Sequence, residues 1–327
     1  MFSMLPSSTL FSFTLLSGVT LTLVSPQWLL VWAGMELNLL SFIPLMISST
    51  ARQETEGAVK YFLTQAAGSA LLLFGALSMK LSYMVSSFSI ALIMLSLLIK
   101  LGAAPMHMWF PQVMACLSWP LCMTLSTLQK ISPLMLISLT SLHHIQFIAA
   151  MMSSLVGGIG GLNQTQIRPL LAYSSIGHVG WMISTGAISQ PLSFMYFLIY
   201  TLITIPLMLL FWQTNMSIRN VSSIMYMPPH VTVLILLTIL SLAGMPPFLG
   251  FFPKWSALQM FVIYNMNTLS LALISGALIN LFYYLTLSLN MYLYFTHTSL
   301  IYLMEFKSFY ILIPTFLLFI APLFLMV

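Results

Sequence analysis

A chain of 327 residues with nine Lys and Arg, four Glu and no Asp cannot clothe itself in water. Soluble domains carry about 25% charged residues; here the share is 4%, against 60% hydrophobic residues. The net charge of +5 is spread as single residues, which excludes a nucleic-acid footprint built from a basic patch and leaves an integral membrane protein.

Met1 runs through Pro6 into Ser and Thr without a basic flank, so the first hydrophobic segment is expected to stay in the mature protein. A bilayer-spanning helix needs about 20 mostly apolar residues. Turn and polar punctuation divides the chain into segments at 8–25, 27–49, 55–79, 83–118, 120–139, 143–162, 166–186, 189–213, 230–265, 267–295 and 308–327. The fourth and ninth are too long for one straight crossing, and each has Gly and Pro near its middle. Counted once each, they make eleven crossings, an all-α integral membrane fold without room for a domain outside the membrane. Long unalternating apolar runs exclude a β-barrel.

Loop charge sets the orientation. Arg52, Arg168, Arg219 and Lys307 fall in even-numbered loops and only Lys80 in an odd one. The N-terminus is therefore expected on the inner side and, after eleven crossings, the C-terminus on the outer side.

The two overlong segments share a pattern. Gly102, Pro105, Phe110 and Pro111 in "LGAAPMHMWFP" correspond to Gly244, Pro247, Phe252 and Pro253 in "AGMPPFLGFFP", each pair 142 residues apart. The copies lie five crossings apart, and an odd offset turns the second unit upside down relative to the first. The reading is an inverted-topology repeat, the arrangement of transporters whose ion sites sit at interrupted helices. It gives a single membrane domain, 1–327: one five-helix unit over about 8–139, a second over about 143–295, and an appended helix at 308–327. Two of the eleven helices are expected to be broken.

Four ionisable residues fall mid-span: Glu36, Lys100, Lys130 and Lys254. Each costs about 2.5–3.5 kcal/mol at a helix centre on insertion scales, so a functional role is the default reading. His178 lies 142 residues after Glu36, and with His107 it is a candidate proton relay. Cys116 and Cys122 read as small core residues, and His143 and His144 at a span start lack further metal ligands nearby. "GGIGG" (157–161) lacks the preceding strand of a phosphate loop and reads as close helix packing through small residues. Asn163 and Asn220 fit the glycosylation pattern but fall on the expected inner side. The charged residues point to ion movement, as a freestanding cation/proton antiporter or as part of a larger assembly; a purely structural membrane subunit is the further alternative.

"KYFLTQAAGSALLLFG" (60–75), "KLGAAPMHMWFPQV" (100–113), "TLQKISPLMLI" (127–137), "GGLNQTQIRPLLAYSSIGHVGWM" (160–182) and "LAGMPPFLGFFPKW" (242–255) occur in this order. Together they resemble the subunit 2 family of mitochondrial NADH:ubiquinone oxidoreductase, respiratory complex I. The resemblance implies an antiporter-like subunit of eleven helices in the mitochondrial inner membrane, with its N-terminus in the matrix and its C-terminus in the intermembrane space. It implies proton translocation coupled to NADH-to-ubiquinone electron transfer, with Glu36, Lys100, Lys130 and Lys254 as the proton-carrying residues. NADH, FMN, Fe–S clusters and ubiquinone would bind elsewhere, leaving no cofactor and no metal on this chain. Its partners would be a neighbouring antiporter-like subunit, the small three-helix membrane subunit and membrane lipid, with no nucleic acid.

Overall fold

The computed structural model describes residues 6–48, 51–81, 86–140, 143–214 and 229–297. These form thirteen helices and no strand. In chain order they are α1 (Pro6–Val24), α2 (Trp28–Ile47), α3 (Arg52–Leu81), α4 (Ser86–Leu101), α5 (Trp109–Cys116), α6 (Trp119–Ser126), α7 (Leu128–Leu139), α8 (His143–Leu162), α9 (Ile167–Ile188), α10 (Gln190–Gln213), α11 (Pro229–Ala243), α12 (Phe251–Ile263) and α13 (Asn267–His297). The expected crossing at 308–327, Arg219, Asn220 and Lys307 lie outside the described residues.

Six described helices are long and apolar enough to cross a membrane: α1, α2, α3, α8, α10 and α13. Shorter apolar stretches occupy α4 and α11. Many large apolar side chains point outward, among them Phe13, Leu162, Val262, Leu271 and Phe282. In water such a surface would drive aggregation; in lipid it is the ordinary exterior.

The bundle closes around α9. From Ile167 to Gly186 nearly every residue of α9 is buried, including Ser174, Ser175, His178, Ser184 and Thr185. A helix enclosed by other helices can carry polar groups that a lipid-facing helix cannot, and its hydroxyls turn back onto its own carbonyls. Ser174 donates to Leu171, Ser175 to Ala172 and Ser184 to Trp181, at 2.7–2.9 Å.

Glycines let the neighbours of α9 come close. A Cβ on Gly157 of α8 would stand 2.5 Å from the Gly177 nitrogen and 2.7 Å from the Tyr173 oxygen of α9. On the next face of α8, Ser154 donates to the Ala272 carbonyl of α13 at 3.2 Å. The glycine-rich run at 157–161 is thus a packing seam between three helices, where small residues let backbones approach.

Contacts across helices fix one end of the bundle. The buried Glu54 carboxylate, in the first turn of α3, accepts from the Ser118 N–H at the start of α6, 3.1 Å away. Arg168 at the start of α9 donates to the Ala115 carbonyl at 3.5 Å and lies 5.2 Å over the Trp119 ring. The α2–α3, α5–α6 and α8–α9 connections therefore share one end. Cys116 beside them is half-buried, Cys122 is buried, and both thiols are free.

Gly157→Ala should force α8 and α9 apart and cost about 1–3 kcal/mol, the usual range for overpacking. A lowered thermal midpoint of the detergent-solubilised protein checks this, and an unchanged midpoint would contradict the seam.

Candidate functional site

Two helix ends carry the same hydrogen-bonding device. At the end of α4, Gly102 takes φ +69°; its N–H bonds the Ile99 carbonyl at 3.0 Å, and the Ala103 N–H bonds Leu98 at 3.0 Å. At the end of α11, Gly244 takes φ +83°; its N–H bonds Ser241 at 3.0 Å, and the Met245 N–H bonds Leu240 at 3.4 Å. Both are Schellman caps, in which a left-handed residue turns the chain back to satisfy the last carbonyls, and glycine adopts that conformation without a Cβ clash. The chain resumes as helix at Trp109 and Phe251, where Phe110 N–H meets His107 O and Phe252 N–H meets Leu249 O at 3.0 and 3.3 Å. These three bonds of the first copy each have a partner 142 residues on in the second.

The side chains that finish these ends differ. At the first, the Trp109 indole N–H reaches the Ile99 carbonyl at 3.0 Å. At the second, the buried Lys254 ammonium donates to the Ala243 carbonyl at 2.7 Å. A cation there also meets the negative end of the helix macrodipole. Lys100 sits on the incoming helix, in the last turn of α4, and is 9% exposed. The two lysines thus lie on opposite sides of their breaks. By the 142-residue offset Lys254 corresponds to Gln112 and Lys100 to Leu242.

Glu36 projects from the middle of α2. One of its carboxylate oxygens, Oε2, is buried without a hydrogen-bond partner. Glu36 makes no direct ion pair with Lys100: within 4 Å, the pair found among the described residues is the exposed Lys60–Glu56, at 2.6 Å. Beside Glu36, the Gln129 amide donates to Asn38 Oδ1 at 2.9 Å and accepts from the Tyr61 hydroxyl at 3.3 Å. This small network ties α2 and α3 to α7, one residue from Lys130.

Lys130 lies where the sequence reading expected an unbroken crossing at 120–139. The structure corrects this. α6 ends at Ser126, Thr127 departs from helical geometry at φ −115° and ψ −79°, and α7 begins at Leu128. Thr127 turns both its N–H and its hydroxyl onto the Met123 carbonyl, at 3.1 and 2.7 Å. Pro133 in the following turn lacks an N–H, so the helix around Lys130 is short of a backbone bond on that side as well. Lys130 is 2% exposed. Its Nζ stands 4.7 Å from the Phe110 ring centroid and 5.6 Å from that of Tyr200.

His178, at the centre of α9, joins the two halves. Its Nδ1 is 3.0 Å from the Tyr196 hydroxyl, and its ring lines one narrow cavity together with Leu242 at the end of α11. The Tyr200 ring lies 5.2 Å from the imidazole. Tyr196, Tyr200 and Gly250 line the same cavity. His107 is placed differently: its Nδ1 lies 3.1 Å from the Pro105 carbonyl of its own loop, and its ring faces Tyr173.

Of the residues singled out by sequence, Glu36 and Lys100 make no direct ion pair, while Lys130 and His178 share Tyr200 as a neighbour. Phe110, Tyr196, Tyr200, Asn38 and Gln129 were not singled out as site residues. Tyr196 and Tyr200 carry a faint signal, since residues four apart share a helix face; Phe110 belongs to the repeated motif, but nothing in its spacing names its ring's neighbour.

The family model described as NADH:quinone oxidoreductase/Mrp antiporter, TM, matches residues 25–280. NADH-ubiquinone oxidoreductase chain 2 of Lumbricus terrestris is 43% identical over 291 residues, 87% of each chain. The protein of the same name from Anopheles gambiae is 42% identical, over 88% of this chain and 86% of its own. Among solved structures, a chain of respiratory complex I from Thermus thermophilus shares the fold with a TM-score of 0.82 at 22% identity, covering 97% of this chain and 78% of that one. A chain of the Mrp complex from Dietzia sp. does so with a TM-score of 0.76 at 18% identity, covering 91% and 61%. This chain belongs to the NADH:quinone oxidoreductase/Mrp antiporter transmembrane family, whose members named NADH-ubiquinone oxidoreductase chain 2 it matches over most of its length.

Proposed function

We propose that the chain is a proton-translocating, antiporter-like subunit of the membrane arm of mitochondrial respiratory complex I. In this reading Glu36, Lys100, Lys130 and Lys254 carry the proton, with His178 as relay between the last two. The observation that carries it is the placement of three buried lysines and a buried histidine in the interior, at or beside interruptions of the helices. Two of those interruptions carry the same glycine cap. Ionisable groups inside a membrane protein mark ion and proton pathways because their insertion cost is otherwise unrewarded.

The chemistry follows from competing environments. A dry site favours a neutral lysine amine, and a nearby carboxylate or helix C-terminus favours the ammonium. Glu36 makes no direct ion pair with Lys100, so in this reading a proton passes between them through one or two waters, and a small change in separation alters which group holds it. Lys254, on the Ala243 carbonyl, is kept at the second break, facing the exit or the next subunit. His178 lines one cavity with Leu242, the residue beside the Ala243 carbonyl that Lys254 caps. His107, bonded to its own loop, stays a lesser candidate.

The architecture that goes with this reading has eleven crossings, α4–α5 and α11–α12 being two interrupted ones within an inverted pair of five-helix units. Redox cofactors and ubiquinone bind on other subunits. The neighbours are a second antiporter-like subunit and the small three-helix subunit, in the mitochondrial inner membrane. On native gels the chain migrates with the complex; free migration would point instead to a lone cation/proton antiporter.

In the assembled complex, Lys100→Ala and Glu36→Gln should each lower NADH-driven proton pumping by on the order of tenfold, equivalent to about 1.4 kcal/mol. The double variant should resemble either single, because both break one coupled pair. Pumping and NADH:quinone turnover, measured together, check this, and simply additive losses would move the relay to other residues. Protease treatment of mitoplasts should remove a C-terminal tag and spare an N-terminal one; both ends on one side would refute eleven crossings.

A further inference from the structure

We propose that Phe110 and Tyr200 form an aromatic clamp on the Lys130 ammonium, and that Phe110 ties this clamp to the geometry of the Gly102 break. The inference rests on the reading above, in which Lys130 exchanges a proton, and names what holds that proton between transfers.

Lys130 has few ways to keep a charge. It is 2% exposed, and among the described residues no carboxylate oxygen lies within 4 Å of it. What its ammonium does meet is π surface: Phe110 from α5 at 4.7 Å and Tyr200 from α10 at 5.6 Å, both inside the range of a cation–π contact. Such contacts strengthen where water is excluded, and both rings are buried, at 1% and 4% exposure. The titratable groups reached through Tyr200 are His178 on α9, 5.2 Å from its ring, and Tyr196 on α10, bonded to His178. A phenyl ring steadies a cation but has no basic lone pair to take its proton. Phe110 therefore holds the charge without diverting the proton.

The position of Phe110 is set by the break. It is the second residue of α5, and its N–H bonds the His107 carbonyl of the non-helical segment. A Cβ on Gly102 would stand 3.0 Å from the Phe110 Cβ, so the left-handed turn packs against this residue. Trp109, bonded to Ile99 O across the break, meets the Phe110 ring edge-on at 85° with centroids 5.5 Å apart. Any rearrangement of the Lys100 end of α4 therefore shifts the ring under Lys130. Tyr200 is the opposite jaw, and its ring also packs 5.2 Å from His178, the next group along the path. The clamp thus joins the break of the first unit to the relay of the second.

The test uses the assembled complex and compares Phe110→Leu, Tyr200→Leu, Tyr200→Phe and Lys130→Ala. Native gels report assembly, and NADH:quinone turnover with proton pumping is followed against pH. Phe110→Leu and Tyr200→Leu should each move the alkaline limb of the profile to lower pH by about 0.5–1 unit. Tyr200→Phe, which keeps the ring, should leave the limb in place. A role in packing alone would lower turnover equally at every pH and leave the limb unmoved, and that result overturns the clamp. If Lys130→Ala abolishes pumping while Phe110→Leu is silent, the clamp fails and the proton reading stands; if Lys130→Ala pumps normally, the proton reading itself fails. Should Phe110→Leu not assemble, the two Tyr200 variants decide, and coincident limbs for Leu and Phe reject the proposal.

Discussion

A backbone N–H or C=O left bare in hydrocarbon costs several kcal/mol, so a membrane helix can stop midway only where something else satisfies its last turn. The structure meets that demand twice in the same way. Gly102 and Gly244 enter the left-handed region and return the chain onto the carbonyls three and five residues behind. Residues with a Cβ pay a steric cost in that region, which is why glycine stands at both sites. What remains is met by side chains: an indole N–H at the first break and a lysine ammonium at the second. Lys254 is thus a cap and a candidate proton carrier at once. Moving its proton or its position loosens the helix end it completes.

The rest of the site gathers around these ends because α9 runs through the middle of the bundle. Its small residues and self-bonded hydroxyls let α8, α10 and α13 pack against it at short range, while its one titratable side chain at mid-helix, His178, reaches the second break. Burial gives that histidine defined neighbours. Tyr196 takes Nδ1, and Leu242 shares with the ring the wall of one narrow cavity. Lys130 sits just past an interruption between α6 and α7, in the first turn of α7. Past the two glycine caps the sequences differ, and the residue 142 positions after Lys130 is Ala272. Only the first unit has a lysine there.

Much was legible in the chain itself. Charge scarcity and runs of about 20 apolar residues are enough to demand a membrane, because lipid tolerates only helices closed on their own hydrogen bonds or barrels. The positions of the two glycine turns could be read too, since Gly and Pro have backbone limits that travel with the residue, and the 142-residue repeat marked both copies. Glu36, Lys100, Lys130, His178 and Lys254 stood out for the same local reason, polarity in an apolar run.

Partnership was left to the tertiary structure. Thr127 reads as an ordinary polar residue in "TLSTLQK", and only the packed bundle shows its N–H and hydroxyl turned onto Met123 and the helix divided there. Phe110 and Tyr200 are 90 residues apart and apolar in character, and nothing in their spacing predicts that both rings face Lys130. His107 and His178 look alike as lone histidines, yet one bonds its own loop while the other bonds across helices. Sequence periodicity records which side of a helix is buried; it carries no information on which helix lies opposite. That depends on how the thirteen described helices pack at once, and the close approaches at Gly157, Gly177 and Gly180 decided it here.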